Sequence, residues 1–247
     1  MKIDNQNRFY TSISKYYSEI FPYNPAQLNF VKNRVGELNE KQILDIGCAT
    51  GELAFQLAQS GAKVTGIDLN EDLLRKAKSG KIHPELHFQK GNMLDLENDF
   101  QENQFDAVLC FGNTLVHLQN IELVSQMLKG VYSVMKKDGQ ILIPILNYDY
   151  ILNKVIIELP LIETENIQFI RKYSFKDNNP LIRFKTELVL QKENQTIFNE
   201  TFLLALRSSE LVQLLEEAGF SEIKLYANFK REAFGGNHLP LVSFGRK

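Results

Sequence analysis

Residues 42–51, Gln-Ile-Leu-Asp-Ile-Gly-Cys-Ala-Thr-Gly, constrain the fold more than any other stretch. Residues 43–46 have the length and character of a short buried strand. Gly47 and Gly51 bracket a tight turn, and residues 52–60 follow with a helical pattern. A strand, glycine turn and helix in that order bring backbone N–H groups and a helix N-terminus to the carboxyl edge of a parallel sheet, where nucleotide-like ligands bind. Asp68 ends a second apolar run, residues 62–68, seventeen positions after Gly51. A carboxylate there can accept from both hydroxyls of a ribose. The two motifs together point to an adenosine-bearing cofactor.

The glycine spacing narrows the choice. Dinucleotide sites use G-x-G-x-x-G, whose second glycine clears room for a pyrophosphate. Here the pattern is Asp45-x-Gly47-x-x-x-Gly51, with Cys48 beside the first glycine. A phosphate-gripping loop needs Lys-Ser/Thr after its last glycine, and Glu52-Leu53 stands there instead. A glutamate at a helix start repels a phosphate but tolerates a cation. The run Leu44-Asp-Ile-Gly-Cys-Ala-Thr-Gly51 resembles the first motif of the class I S-adenosylmethionine-dependent methyltransferases, whose cofactor carries a sulfonium and an ammonium. The resemblance is strong over 41–146 and holds in outline over 207–247.

Composition agrees with one α/β domain carrying an insertion. The chain has 247 residues, enough to bury a sizeable core, and a net charge of −2 without any Lys/Arg block. A nucleic-acid or anionic-membrane partner is therefore not indicated. The N-terminus lacks the apolar core of a signal peptide, and no run approaches a membrane span, which leads to the expectation of a soluble cytoplasmic protein. The two cysteines, Cys48 and Cys110, read as small packing residues in a reducing compartment. His83 and His87 stand four apart, but Pro84 and the alternation that follows argue against a helical metal pair. No metal is expected.

Apolar periodicity predicts N-terminal helices over about 5–20 and 26–38, interrupted at Phe21-Pro-Tyr-Asn-Pro25. Strands near 42–46, 62–68, 86–90, 105–111 and 140–146 alternate with helices near 51–60, 70–79 and 119–137, the last closed by Lys136-Lys-Asp-Gly139. That order implies a Rossmann-like, doubly wound sheet. Residues 168–175, 181–190 and 196–205 alternate apolar and polar side chains between turns at 176–180 and 192–195, as an antiparallel meander does. A helix opened by Ser208-Ser-Glu-Leu and strands near 221–227 and 239–245 finish the chain. The expected fold is a seven-stranded, mostly parallel sheet with an antiparallel last strand. Its parts are an N-terminal helical lid (1–40), a cofactor-binding domain (41–146 and 207–247) and an inserted antiparallel β subdomain (147–206). Exposed strand edges on that insertion favour pairing with a second copy, hence a homodimer.

The resemblance implies S-adenosylmethionine contacts from Asp45, Gly47, Cys48, Ala49 and Gly51 in the first motif, and from Asp68 and Leu69 after the second strand. After the third strand Asn92 and Met93 would flank or bond the adenine, with Asp95 as the acidic candidate. Phe111 and Gly112 end the fourth strand beside the transferring methyl. The segment Phe111-Gly-Asn-Thr-Leu-Val-His-Leu118 is similar to the corresponding loop of small-molecule N-methyltransferases of the glycine N-methyltransferase type. It lacks the Asn/Asp-Pro-Pro-Tyr/Phe motif of the amino-methylating DNA enzymes. Asn113 is a candidate to orient the acceptor, or a turn amide. His117 is a candidate base or orienter, or a packed core group. Tyr16 or Tyr17 is the candidate lid contact over the sulfonium. Arg171, Arg183 and Arg207 are candidates to hold an acceptor carboxylate, or the wet face of the meander.

Methyl transfer to N or O is an in-line displacement that asks the protein chiefly to position its reactants. The leading expectation is methylation of a small-molecule acceptor. A protein or RNA acceptor and a noncatalytic S-adenosylmethionine-binding partner subunit are the alternatives. A nicotinamide dehydrogenase is opposed by the glycine spacing.

Overall fold

The structure is a computed structural model that describes residues 2–176 and 179–247. In chain order the strands are β1 Gln42–Ile46, β2 Lys63–Asp68, β3 Leu86–Lys90, β4 Phe105–Leu109, β5 Met135–Leu146, β6 Ile162–Glu163, β7 Ile167–Ser174, β8 Leu181–Leu190, β9 Gln195–Leu204, β10 Ser221–Tyr226 and β11 Pro240–Arg246. The helices are α1 Lys2–Ile13, α2 Tyr17–Ile20, α3 Pro25–Val35, α4 Glu52–Gln59, α5 Glu71–Gly80, α6 Leu96–Asp99, α7 Ile121–Val134, α8 Tyr148–Asn153 and α9 Ser208–Glu217.

Seven strands make one sheet in the order β10-β11-β5-β4-β1-β2-β3. Neighbours from β3 to β5 run parallel, and β11 is antiparallel to both β5 and β10. The period-2 alternation of each strand divides its apolar side chains between two layers. Ile43, Val64 and Leu109 face α3, α4 and α5 through Phe30, Leu57 and Leu74. Leu44, Ile67 and Val108 share the opposite layer with Val124, Leu128 and Val131 of α7 and with Leu211 and Leu215 of α9. Sidedness of this kind places the carboxyl ends of β1, β2 and β4 along a common edge, where α1 and α2 cross them.

Two stretches depart from the sequence-based expectation. Helix α7 stops at Val134, and residues 136–139 belong to β5 rather than to the helix end. The cause is Asp106 at the start of β4: its carboxylate accepts from Lys136 Nζ (2.7 Å) and from Gln42 N (2.9 Å), drawing the segment into the sheet. Helices α6 and α8 are too short to carry a readable period. The N-terminal segment is also broken, since α1 ends at Ile13 and Ser14–Tyr16 tightens into a 3₁₀ turn before α2.

The insertion forms a second sheet, β6-β7-β8-β9, antiparallel throughout. The turn expected at 176–180 includes Asp177 and Asn178, which lie outside the described residues. Phe9, Ile13 and Ile20 of the N-terminal helices pack on Ile167, Phe169 and Leu188 of this sheet. The lid therefore docks against the insertion. Other parts of the chain contact both edges of this sheet. Ser12 of α1 bonds Asn199 of β9, and residues 157–163 lie along β7 through bonds such as Tyr173 N to Ile157 O (2.8 Å). Among the described residues no helix is long and apolar enough to cross a membrane.

Candidate functional site

The turn after β1 docks on β2. Gly47 N and Cys48 N both donate to Ile67 O, at 2.8 and 3.0 Å. Gly47 and Gly51 have φ of +71° and +77°, a region that disfavours any Cβ. A Cβ at Gly51 would also run into the Phe88 ring, so the glycine lets β3 and the turn approach. The same turn locks the Asp68 carboxylate. One oxygen accepts from Ala49 N (2.9 Å) and the other from Asn70 N (2.8 Å).

Asn70 ties this corner to the lid. Its Oδ1 caps α5 by accepting from Leu73 N (3.0 Å), and its Nδ2 donates toward Asn7 Oδ1 (2.7 Å) and Thr11 Oγ1 (3.0 Å) on α1. The sequence offered Asn70 only as a helix start; its reach to α1 exists only once the chain is folded.

Three adjoining cavities lie beneath the lid, and Tyr10 and Gly112 line all of them. The first, about 60 Å³, sits between α1 and the ends of β2 and β3, against Asp68, Leu69, Asn70 and Met93. It is narrow because Asn7 and Tyr10 of α1 lie across it. The second, about 390 Å³, follows the β1 turn past Asp45, Cys48, Thr50 and Phe111 to Phe21 and Gln27. A third, about 270 Å³, opens from Gly112, Asn113 and His117 toward the second sheet.

Their electrostatics differ. Among the described residues no lysine or arginine lines the first two cavities, while Asp45, Glu52 and Asp68 do. Glu52 is paired with Lys81 (3.0 Å), which leaves the buried Asp45 and the half-buried Asp68 without a cationic partner among the described residues. Burial, reinforced by the charge of Asp68, pushes the Asp45 carboxyl up to about 7. Burial likewise raises Asp68 against the pull of its backbone donors. An acid pair of this kind suits a cationic ligand and opposes a phosphate. Burial holds His117 down at about 4, so its ring is neutral at pH 7, and its Nε2 lies 2.8 Å from the Tyr10 hydroxyl.

The structure gathers most of the sequence-derived candidates here. Gly47, Ala49, Asp68, Leu69 and Met93 line the first cavity, together with Tyr17 and His117. Asp45, Cys48 and Phe111 line the second. Asn113 borders the third, yet its side chain is engaged: Nδ2 donates to Tyr148 Oη (3.1 Å) and Oδ1 accepts from Leu146 N (3.0 Å). Gly51 acts through the turn and reaches none of these cavities.

Three candidates fall elsewhere. Tyr16 is turned away by the 3₁₀ segment and donates to Glu193 Oε1 (2.7 Å) on the rim of the insertion. Asn92 spends its side chain on the loop, accepting from Leu94 N (3.1 Å). Asp95 is exposed at the start of α6. None of the three lines the cavities described. Conversely, Phe229 carries no local signal. Phe229, on the β10–β11 connection, lines the third cavity and stacks on Phe111 of the second, with 5.8 Å between centroids and an interplanar angle of 11°.

Residues 43–139 match the family described as "Methyltransferase domain". The sheet order and the second antiparallel sheet are those of the Rossmann-like class I methyltransferase fold. The methyltransferase of *Geobacillus* sp. (strain WCH70) shares 36% identity over 141 residues, covering 54% of this chain and 56% of that protein, so the chain spans little more than half of it. The glycine/sarcosine N-methyltransferase of *Aphanothece halophytica* is 27% identical over 213 residues, 81% of this chain and 74% of the relative. The CcbJ methyltransferase of *Streptomyces caelestis* superposes with a TM-score of 0.80 at 20% identity, over 95% of both chains. The methyltransferase likeness of the fold thus extends beyond the matched domain to the lid and the second sheet.

Proposed function

We infer that the protein is an S-adenosylmethionine-dependent methyltransferase acting on a nitrogen or oxygen of a small molecule. The observation that carries this reading is the pair of carboxylates, Asp45 buried and Asp68 half-buried, in cavities lined by no lysine or arginine among the described residues. Asp68, held by Ala49 N and Asn70 N, still has acceptor capacity for ribose hydroxyls. Met93 and Leu69 offer apolar walls for an adenine, and Asp45 supplies negative charge for a methionine ammonium. When bound, the cofactor supplies a methyl already activated by positive sulfur.

The chain's own contribution is positioning and exclusion of water. Tyr10 and Tyr17 close from the lid, and Gly112, without a side chain, leaves room where the donor and acceptor cavities join. His117 is neutral and can accept a proton, although its depressed basicity suits an amine acceptor that arrives uncharged better than a strong demand for deprotonation. The small size of the third cavity and the absence of a basic block in the sequence both favour a small acceptor over RNA. The kinship with a glycine/sarcosine N-methyltransferase supports an amine.

The test is release of S-adenosylhomocysteine when purified protein and S-adenosylmethionine meet panels of small amines and hydroxy compounds. Acceptor-dependent release supports the reading. Release driven only by RNA or protein substrates replaces its acceptor class.

A further inference from the structure

The third cavity differs in charge from the other two. Of the three arginines on or beside the insertion, Arg183 pairs with Glu200 (3.5 Å) and Arg207 with Asp149 (3.2 Å). Arg171, on β7, is the one that lines a cavity beneath the lid. Its Nη2 donates to Pro160 O (2.8 Å), which fixes the guanidinium, and its Nε is buried with no hydrogen-bond partner. No acidic side chain among the described residues forms an ion pair with it, and none lines its cavity. A half-buried arginine whose Nε is buried and unpaired, with no counter-ion, is left with unmet bonding capacity.

The other walls are apolar or neutral. Leu159, Phe184 and Leu203 form an apolar surface. Tyr173 stands beside them with its phenol held protonated by burial. His117, at the Gly112 end, is uncharged. Among the described residues Arg171 is thus the single charged side chain lining a cavity of about 270 Å³, near the lower end of small-molecule sites. A planar guanidinium fork matches a carboxylate better than it does a lone hydroxyl or amine.

We propose that the methyl acceptor is a carboxylate with an apolar or aromatic body, anchored by Arg171 across the third cavity with its reacting atom toward Gly112 and His117. The proposal rests on the methyltransferase reading and specifies its substrate class. The cavity demands hydrocarbon between anion and nucleophile, which sets the acceptor apart from a neutral sugar and from a two-carbon amino acid. Arg171 is here a specificity residue.

The test uses the full chain saturated with S-adenosylhomocysteine, titrated with phenylacetate, its methyl ester and phenylphosphonate. The expected result is that phenylacetate binds at least about tenfold tighter than the ester, and that Arg171→Met abolishes this preference while Arg171→Lys keeps part of it. Unchanged S-adenosylhomocysteine binding by both variants shows that they are folded. Equal binding of acid and ester, indifference to Arg171→Met, or no binding of phenylacetate at millimolar concentration overturns the proposal. Tighter binding of phenylphosphonate than of phenylacetate overturns the carboxylate assignment. Failure of the wild type to bind S-adenosylhomocysteine removes the underlying reading as well, whereas loss of the acid preference alone leaves that reading standing.

Discussion

The hydroxyl of Tyr10 and Nε2 of His117 meet at 2.8 Å where the three cavities adjoin, joining the lid helix to the loop after β4. Both groups are half-buried, and the bond fastens α1 to that loop. Tyr10→Phe leaves the imidazole nitrogen unpaired and is expected to cost about 1–2 kcal/mol of stability. Urea unfolding of Tyr10→Phe, His117→Phe and the double variant checks this, and the double variant should be less destabilised than the sum of the two singles.

Asn7 and Tyr10 of α1 narrow the first cavity, so ligand entry is expected to couple to movement of α1. Asn70 Nδ2 is the latch, bonded to Asn7 and Thr11. Replacing those side-chain partners, as Asn7→Ala with Thr11→Val, leaves only the bond to Asn7 O (3.1 Å) and loosens α1 without touching the cap that Asn70 gives α5. Amide exchange over residues 5–13 should then accelerate by about tenfold, while exchange in β1 and β4 stays unchanged.

Asp45 makes cofactor binding depend on pH. Its ordinary value near 3.9 is raised in the folded protein to about 7 by burial and the neighbouring Asp68. Between those values the folded state holds a proton that the unfolded state has lost, so this group's contribution to stability falls as pH rises from about 4 to 7. A cationic ligand favours the ionised form. Affinity for S-adenosylmethionine should therefore rise by up to about tenfold per pH unit below 7 and level off above it. Calorimetry in two buffers of different ionisation enthalpy should detect proton release near pH 6.5, and Asp45→Asn should abolish it.

Gly51 carries the close approach of the β1 turn to β3. Gly51→Ala combines a left-handed backbone with a clash against the Phe88 ring. The expected loss is about 3 kcal/mol, with a midpoint shift in thermal unfolding that Phe88→Leu partly relieves.

Much of this architecture is legible in the chain because it is written locally. The β1 turn, the strand end at Asp68 and the alternation of β7–β9 depend on periods and glycines within a few residues. What escaped depends on pairing across the fold. Lys136 is drawn into β5 by Asp106, thirty residues away, against a helical reading. Tyr16 and Tyr17 are adjacent in sequence, and only the 3₁₀ turn separates the residue facing Glu193 from the one facing the cavity. Asn92 and Asp95 were read as ligand groups from their position after β3, but a short loop consumed one amide and left the other side chain in solvent. Three arginines looked alike in the alternating strands, and two of them found carboxylates in the folded chain.

The central claim is that Asp68 and the β1 turn hold the adenosyl group of S-adenosylmethionine. Calorimetric titration of the wild type and of Asp68→Ala with S-adenosylmethionine tests it most directly, with thermal unfolding to verify that the variant is folded. The account predicts one equivalent bound by the wild type and an affinity weakened by about 10–100-fold in the variant, from the loss of charge-assisted bonds to the ribose. A folded wild type that binds neither S-adenosylmethionine nor S-adenosylhomocysteine, or an Asp68→Ala protein that binds as tightly as wild type, would contradict it.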